Sequence, residues 1–501
     1  MYFLFDPDQG TFLSMAQEIL QGIHPFININ AVSSYGPLVS YGSAFGQYLS
    51  DNRLIGEISI IILGYTLAYM LLFYLTLKFT KSNIYSFLLL MFLVFLMPSF
   101  YIYYIVLGPA LTSTILYIYL HRRKSVWIVA LGFAVSITGM YRLDFGFYAF
   151  VTSIVAIILK QKNKGAICKD FFGLILTGLI FTSPWLIFLK LKINLTDVVV
   201  NIISASTKLA SGLALPTPNF EFGNVTSRYF SHYNLFSFQF WFFLSIPLIT
   251  IVMIIFRWRV VEKSERNFVL CISLFSFMIF FQALHRSDYF HFLEVIPLSF
   301  VIAGWMIRVF WKVFLSNKLN FPKMLSGFIL ALFLLIGISF FQFFHYTNSI
   351  SIKRKVDHLS DKFHHYLLSR SQLRDYYRKS VGNRWEIDVV DYVYNNTSAN
   401  DFVLFLPYNP QFYYFSERLY STPIGHFHPG SFPTHKSQVQ FINKMMNTLL
   451  VVDLPEYSFD QMPERNAKYY APEIMKYIYQ NYRIVERFGP ANILLKKNKT
   501  E

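Results

Sequence analysis

Asp6-Pro7-Asp8-Gln9-Gly10-Thr11-Phe12-Leu13-Ser14-Met15-Ala16-Gln17-Glu18-Ile19-Leu20 is the stretch from which the rest of the chain is read. Two carboxylates open it. Apolar residues then recur at Phe12, Met15, Ala16, Ile19 and Leu20, the spacing of one helix face. Ser14, Gln17, Glu18 and Gln21 fall on the other face, and Gly22 and Pro25 stop the run. The spacing predicts a short amphipathic helix lying in a membrane interface, with a carboxylate pair at its N-terminal end.

Directly beyond this stretch the composition changes to that of a membrane protein. Of 501 residues, 54% are hydrophobic and only 14% charged, where a soluble domain carries about a quarter. Apolar runs predict about ten membrane helices, near 55–77, 83–105, 108–120, 126–141, 145–159, 170–189, 234–256, 267–284, 291–307 and 324–345. Those at 108–120, 126–141 and 145–159 read as short helices within a bundle. The net charge of +16 lies mostly in short loops between spans, so it predicts orientation and not nucleic-acid binding. Lys78 and Lys81, Arg122 to Lys124, Lys160 to Lys169, Arg257 to Arg266, and Arg308 to Lys318 occupy alternate loops. They are expected on the cytoplasmic side of a plasma (inner) membrane. Residues 1–54, the corner at Tyr141–Gly146, the loop 190–233, the corner at His285–His291 and everything after 346 then lie outside. Cys168 and Cys271 are the only cysteines, and both are expected on the reducing side, without a disulfide.

Three domains are expected: a first outer loop (1–54), a transmembrane helical domain (55–346) and a C-terminal extracytoplasmic domain (347–501). The last begins with a Lys- and Arg-rich helical stretch at 353–384 and reads as α/β from about 385. Trp385–Asn396 and Pro472–Asn481 read as helices. Phe402–Leu406, Leu449–Val452, Arg483–Phe488 and Asn492–Leu495 read as strands. It holds no glycine-rich phosphate loop.

Ionisable residues gather at the outer edges. They are Asp6 and Asp8, then Arg142 and Asp144, then His285, Arg286, Asp288, His291 and Glu294. Such groups at membrane depth are paired or functional. Carboxylates there serve as a general base or metal ligands, and arginines bind phosphate through two nitrogens. Each group has a plainer reading as well. Asp6 or Asp8 suits a helix N-cap. Arg142 with Asp144, and Arg286 with Asp288, suit structural ion pairs. His285 and His291 suit interfacial side chains. Three histidines, His426, His428 and His435, form a weak metal tract.

Asp8-Gln9-Gly10-Thr11-Phe12-Leu13, Ala16, Ile19-Leu20-Gln21-Gly22, Pro25-Phe26 and Tyr35-Gly36-Pro37-Leu38 resemble the first external loop of the GT-C integral-membrane glycosyltransferases. The closest likeness is to the branch of protein O-mannosyltransferases and aminoarabinose transferases. Tyr413-Tyr414-Phe415-Ser416-Glu417-Arg418 and Ile478-Tyr479-Gln480-Asn481-Tyr482 resemble the external C-terminal domains of such proteins. The resemblance implies sugar transfer from a polyprenyl-phosphate carrier at the outer face, with Asp8 at the position of the catalytic acid and Asp6 as second candidate. The chemistry of the outer clusters then suggests Arg142 and Arg286 for the donor phosphate, with Asp144, His285, Asp288 and His291 as further candidate site residues. A divalent metal, Mg or Mn, would fall to Asp6 and Asp8; Gln9, where many members have Glu, weakens that set. The family's first span has no counterpart ahead of Asp6 and is expected upstream. The implied partners are the sugar-carrying lipid, membrane lipids and an acceptor glycan, lipid or protein. An O-antigen polymerase or ligase, a lipid or sugar transporter, and a non-catalytic envelope-assembly protein remain the alternatives.

Overall fold

In the computed structural model, described residues are 7–24, 35–96, 104–122, 124–192, 214–219, 232–255, 262–315, 364–381, 385–420, 427–432 and 434–497. They fall into two units. One joins Met1–Ile61, Trp185–Leu213 and His358–Glu501, and the other joins Ile62–Pro184 and Ala214–Asp357.

The first unit is built on helices α1 (Pro7–Leu20) and α2 (Pro37–Leu49), the start of α3 (Leu54–Thr80), and the C-terminal domain. Helix α1 ends where the sequence predicts, at Gly22, whose φ of +81° suits glycine. Its surroundings differ from the expectation. Leu13 and Met15 enter one core with Leu54, Ile58, Val389, Phe412 and Tyr414. The polar residues Ser14, Gln17 and Glu18, expected on the solvated face, are also buried. Both faces of α1 are therefore covered by protein from Gly10 to Glu18, with contacts to α2 and to the C-terminal domain. A polar stripe and a solvated stripe have the same spacing, so periodicity alone does not separate them.

The C-terminal domain carries α12 (Arg370–Val381), α13 (Trp385–Asn396), β1 (Phe402–Leu406), α14 (Gln411–Ser416), β2 (Leu419–Tyr420), α15 (His435–Lys444), β3 (Leu450–Asp453), α16 (Ala467–Tyr470), α17 (Pro472–Asn481), β4 (Tyr482–Phe488) and β5 (Ala491–Lys496). The sheet order is β2-β1-β3-β5-β4. Strands β2, β1 and β3 run parallel, and β5 and β4 close the edge as an antiparallel hairpin. Alternation sends Val403, Phe405 and Val452 to the face of α13 and α14. It sends Leu404, Leu406 and Val451 to the face of α15 and α17. Both faces are covered, which is why the strands read as continuous apolar runs.

The second unit is a bundle. It comprises the rest of α3, α4 (Asn83–Leu96), α5 (Leu107–His121), α6 (Val126–Tyr141), α7 (Leu143–Lys160), most of α8 (Lys164–Lys192), α9 (His232–Ile255), α10 (Lys263–His285) and α11 (Tyr289–Phe314). Six helices among the described residues are long and apolar enough to cross a membrane, and the chain is a multi-pass membrane protein. The expected span at 324–345 lies outside the described residues. Small residues let the helices approach, as in lipid. A Cβ on Gly146 would sit 2.3 Å from Gly139 Cα, and Thr112 Oγ1 meets Thr138 Oγ1 at 2.8 Å. Ser276 meets Ser299 at 2.9 Å. The basic ends gather: Lys160 donates to the Arg122 carbonyl at 3.0 Å, Asn267 donates to the Leu159 carbonyl at 3.1 Å, and Arg308 pairs with Glu265. Since α7 and α10 each run once along the bundle, the corners at Arg142 and Arg286 lie at its other end. Cys168 and Cys271 are both free thiols.

Candidate functional site

Two helix corners in the second unit use the same device. Helices α6 and α7 are separated by the single residue Arg142, which is extended (φ −152°, ψ 117°). Its Nε donates to Asp144 Oδ1 at 2.8 Å, and Asp144 also accepts from the Phe145 amide at 2.9 Å. Helices α10 and α11 are separated at Arg286, whose Nε donates to Asp288 Oδ2 at 3.0 Å. Asp288 then caps α11 by accepting the His291 amide at 2.9 Å, an N-cap contact. The His291 ring nitrogen Nδ1 lies 2.8 Å from both Asp288 oxygens. The ion-pair reading of Arg-x-Asp is thus realised at each corner, and each aspartate fixes its guanidinium through Nε.

The corners lie at the same end of the bundle, where α7 packs against α10, and between α10 and α11 the Glu294 carboxylate accepts from Gln282 Nε2 at 2.7 Å. Burial opposes ionisation of Asp288, but the His291 ring and amide and the Arg286 guanidinium outweigh it and hold its carboxyl down at about 2. It is ionised throughout the physiological range. Leu215, in the loop 190–233, lies on this corner: its amide donates to the His285 carbonyl at 3.2 Å and it bridges to Arg286. Pro218 accepts from the Trp241 indole at 2.8 Å.

Asp8 belongs to the first turn of α1, in the first unit; Asp6 lies outside the described residues. The C-terminal domain grips α1 directly. Thr11 Oγ1 is 3.3 Å from the Tyr408 hydroxyl, and Ser14 Oγ is 2.5 Å from that of Tyr420. The Tyr420 amide donates to Glu18 Oε1 at 2.8 Å, and Arg370 donates to Gln17 Oε1 at 3.1 Å. Burial pushes the Glu18 carboxyl up to about 7, against the pull of the Tyr420 amide. At Gly10 a Cβ would sit 2.4 Å from the Gln411 backbone nitrogen, so only glycine allows this approach.

Of the sequence-predicted residues, Arg142, Asp144, Arg286, Asp288 and His291 are brought together, and His285 ends α10 beside them. Among the described residues no three His, Cys, Asp or Glu side chains gather as a metal site. His428 is buried and bonded to Ser431 at 3.0 Å, and His426 lies outside the described residues. Gln282 and Glu18 were not singled out: an uncharged glutamine in a span and a glutamate on a polar helix face carry no local signal.

No protein-family model matches the chain, and no curated protein sequence matches it. Among solved structures, ArnT from Cupriavidus metallidurans bound to undecaprenyl phosphate aligns with a TM-score of 0.50 over 98% of this chain and 93% of that one, at 13% identity. The chain has the fold of ArnT. The apo state of the same ArnT aligns with a TM-score of 0.45 over 97% of this chain and 92% of that one, at 12% identity. An ArnT-like fold accounts for both halves of the architecture, the helical membrane part and the C-terminal sheet domain, and it is the fold expected from the residues around Asp8.

Proposed function

We propose that this protein is a membrane glycosyltransferase that moves a sugar from a polyprenyl-phosphate carrier to an acceptor hydroxyl at the outer face of the membrane. The observation that carries this reading is the match along 98% of the chain to an ArnT structure that holds undecaprenyl phosphate. The Asp8 carboxylate takes the proton of the acceptor hydroxyl. The hydroxyl oxygen attacks the anomeric carbon, the bond from that carbon to the phosphate oxygen breaks, and configuration inverts. The leaving lipid phosphate carries the electron pair away and is met by the guanidiniums of Arg142 and Arg286. Their aspartates hold them in place before the charge develops. The outward direction of this site rests on the alternation of basic loops, with the C-terminal domain on the same side.

The test is transfer from a panel of radiolabelled polyprenyl-phosphate sugars in membranes. Asp8→Asn is expected to lose transfer by about 10²–10⁴-fold, the usual contribution of a general base. Transfer that survives intact in Asp8→Asn removes this base. No product with any donor from the unaltered chain removes the transferase reading.

A further inference from the structure

The corner between α5 and α6 and the corner between α7 and α8 are bonded to one another. Lys160, at the end of α7, donates to the Arg122 carbonyl at 3.0 Å and lies 3.6 Å from the centre of the Tyr119 ring. The Tyr119 hydroxyl donates to Asp170 Oδ2 on α8 at 2.6 Å, and Gln161 donates to the same oxygen at 2.6 Å. These contacts occupy Lys160 and Asp170 and hold the two corners together. Arg122 and Lys124 on one corner, and Lys162, Lys164 and Lys169 on the other, stand exposed around them.

Charge is unbalanced here in a way that it is not elsewhere in the bundle. Arg142, Arg286 and Arg308 each meet a carboxylate. Among the described residues none of the five exposed cations at these corners does. The sequence gives the reason: from His121 to Lys169 the only acid is Asp144, at the other end of α7. The basic loop ahead of α10 differs, because Glu262 and Glu265 stand beside Lys263 and Arg266. Membrane orientation asks only that a loop be basic, which both loops are. Like charges gathered on one surface repel, and an anion seated among them removes that cost.

Next to the cations the surface turns apolar. Helices α6 and α8, which lead away from the two corners, meet along a seam. The Phe133 and Phe181 rings pack edge to face with centroids 4.8 Å apart, and Ser136 Oγ donates to the Gly178 carbonyl at 3.1 Å. Val129 on α6 and Phe172 and Leu176 on α8 are exposed, the last two by 67% and 59%. A soluble phosphate would meet the cations and leave this apolar surface uncovered, and a neutral lipid would leave the cations unpaired. A phosphate joined to acyl chains matches both, as in basic sites between membrane helices that hold anionic lipids. We propose that these corners and the α6–α8 seam seat an anionic glycerophospholipid, with its phosphate among Arg122, Lys124, Lys162 and Lys164 and an acyl chain along the seam. The site lies at the opposite end of the bundle from Arg142 and Arg286, and it stands whether or not the chain transfers a sugar.

The test is native mass spectrometry of the full chain in detergent, titrated with dioleoyl-phosphatidylglycerol or with dioleoyl-phosphatidylcholine. The anionic lipid is expected to be held about tenfold or more tightly than the neutral one, as several juxtamembrane cations of about fivefold each imply. Lys124→Gln, Lys162→Gln and Lys164→Gln combined should lower phosphatidylglycerol affinity by about tenfold or more and leave phosphatidylcholine unchanged. A control set, Lys81→Gln, Lys263→Gln and Lys312→Gln, removes the same charge from other basic loops. It should change the affinity by less than about twofold, because screening confines the effect to nearby charges. Equal binding of the two lipids overturns the site. Equal losses in the two sets assign the effect to net charge, which also overturns it. Displacement of the lipid by excess glycerol 1-phosphate assigns the corners to a soluble anion and overturns the lipid seat. Should the first set fail to fold, Lys162→Gln alone decides: a loss of about fivefold supports the site, and undiminished affinity overturns it.

Discussion

At the scale of single residues, the corners and the buried acids make different predictions. Arg286 is fixed by Asp288, and its proposed work is on a charge that grows as the bond breaks. Arg286→Gln should therefore lower kcat/KM for the lipid donor by about 10²–10³, the typical effect of removing one such donor, while the far-ultraviolet spectrum stays unchanged. Steady-state kinetics on the purified chain check this. Glu18 predicts a pH effect on stability. Its folded carboxyl stands at about 7, raised chiefly by burial from an ordinary 4.5. Between those values the folded state binds more protons than the unfolded one, so stability is fully present below about 4.5 and is lost as pH rises through about 7. Glu18→Gln should flatten that decline, read as Tm against pH by tryptophan fluorescence.

At the scale of elements, α1 is the test of how far pattern reaches. Its span and its stop at Gly22 were legible from period and breaker residues. Its polar face has the pattern of a solvated side, whereas Ser14 and Glu18 meet Tyr420 of the C-terminal domain. The docking predicts a steric effect. In Gly10→Val the new side chain would collide with the Gln411 backbone. The substitution should destabilise the first unit by about 1–3 kcal/mol or more, as overpacking does, and speed proteolysis in the α1 region. Strands β1, β3, β4 and β5 were legible because apolar runs with turn signals are local. Strand β2 was missed, since its two residues earn their place only by pairing with β1. The short α14 was missed too, because its core side is set by the sheet and α1, not by a repeat within six residues.

At the scale of the whole molecule, the alternation of basic loops carries the prediction of orientation. A reporter joined after Lys497 should be active as an alkaline phosphatase fusion in a bacterial host and dark as a green fluorescent protein fusion, the pattern of an external C-terminus. The reverse pattern would turn the orientation over, along with the outer placement of the candidate site. The sequence by itself determined the membrane class, the positions of most helices and of strands β1, β3, β4 and β5, and the likeness around Asp8, and it offered an ion pair inside each Arg-x-Asp motif as one of two readings. Those depend on composition and on neighbours within a few residues, which the chain states directly. Only the tertiary structure decided that α7 packs against α10 and brings the corners at Arg142 and Arg286 to one end of the bundle, and that α1 is buried on both faces from Gly10 to Glu18. Those depend on which distant segments pack together, and in a chain where lipid, protein core and buried polar contacts all select the same residue types, one-dimensional pattern does not name the partner.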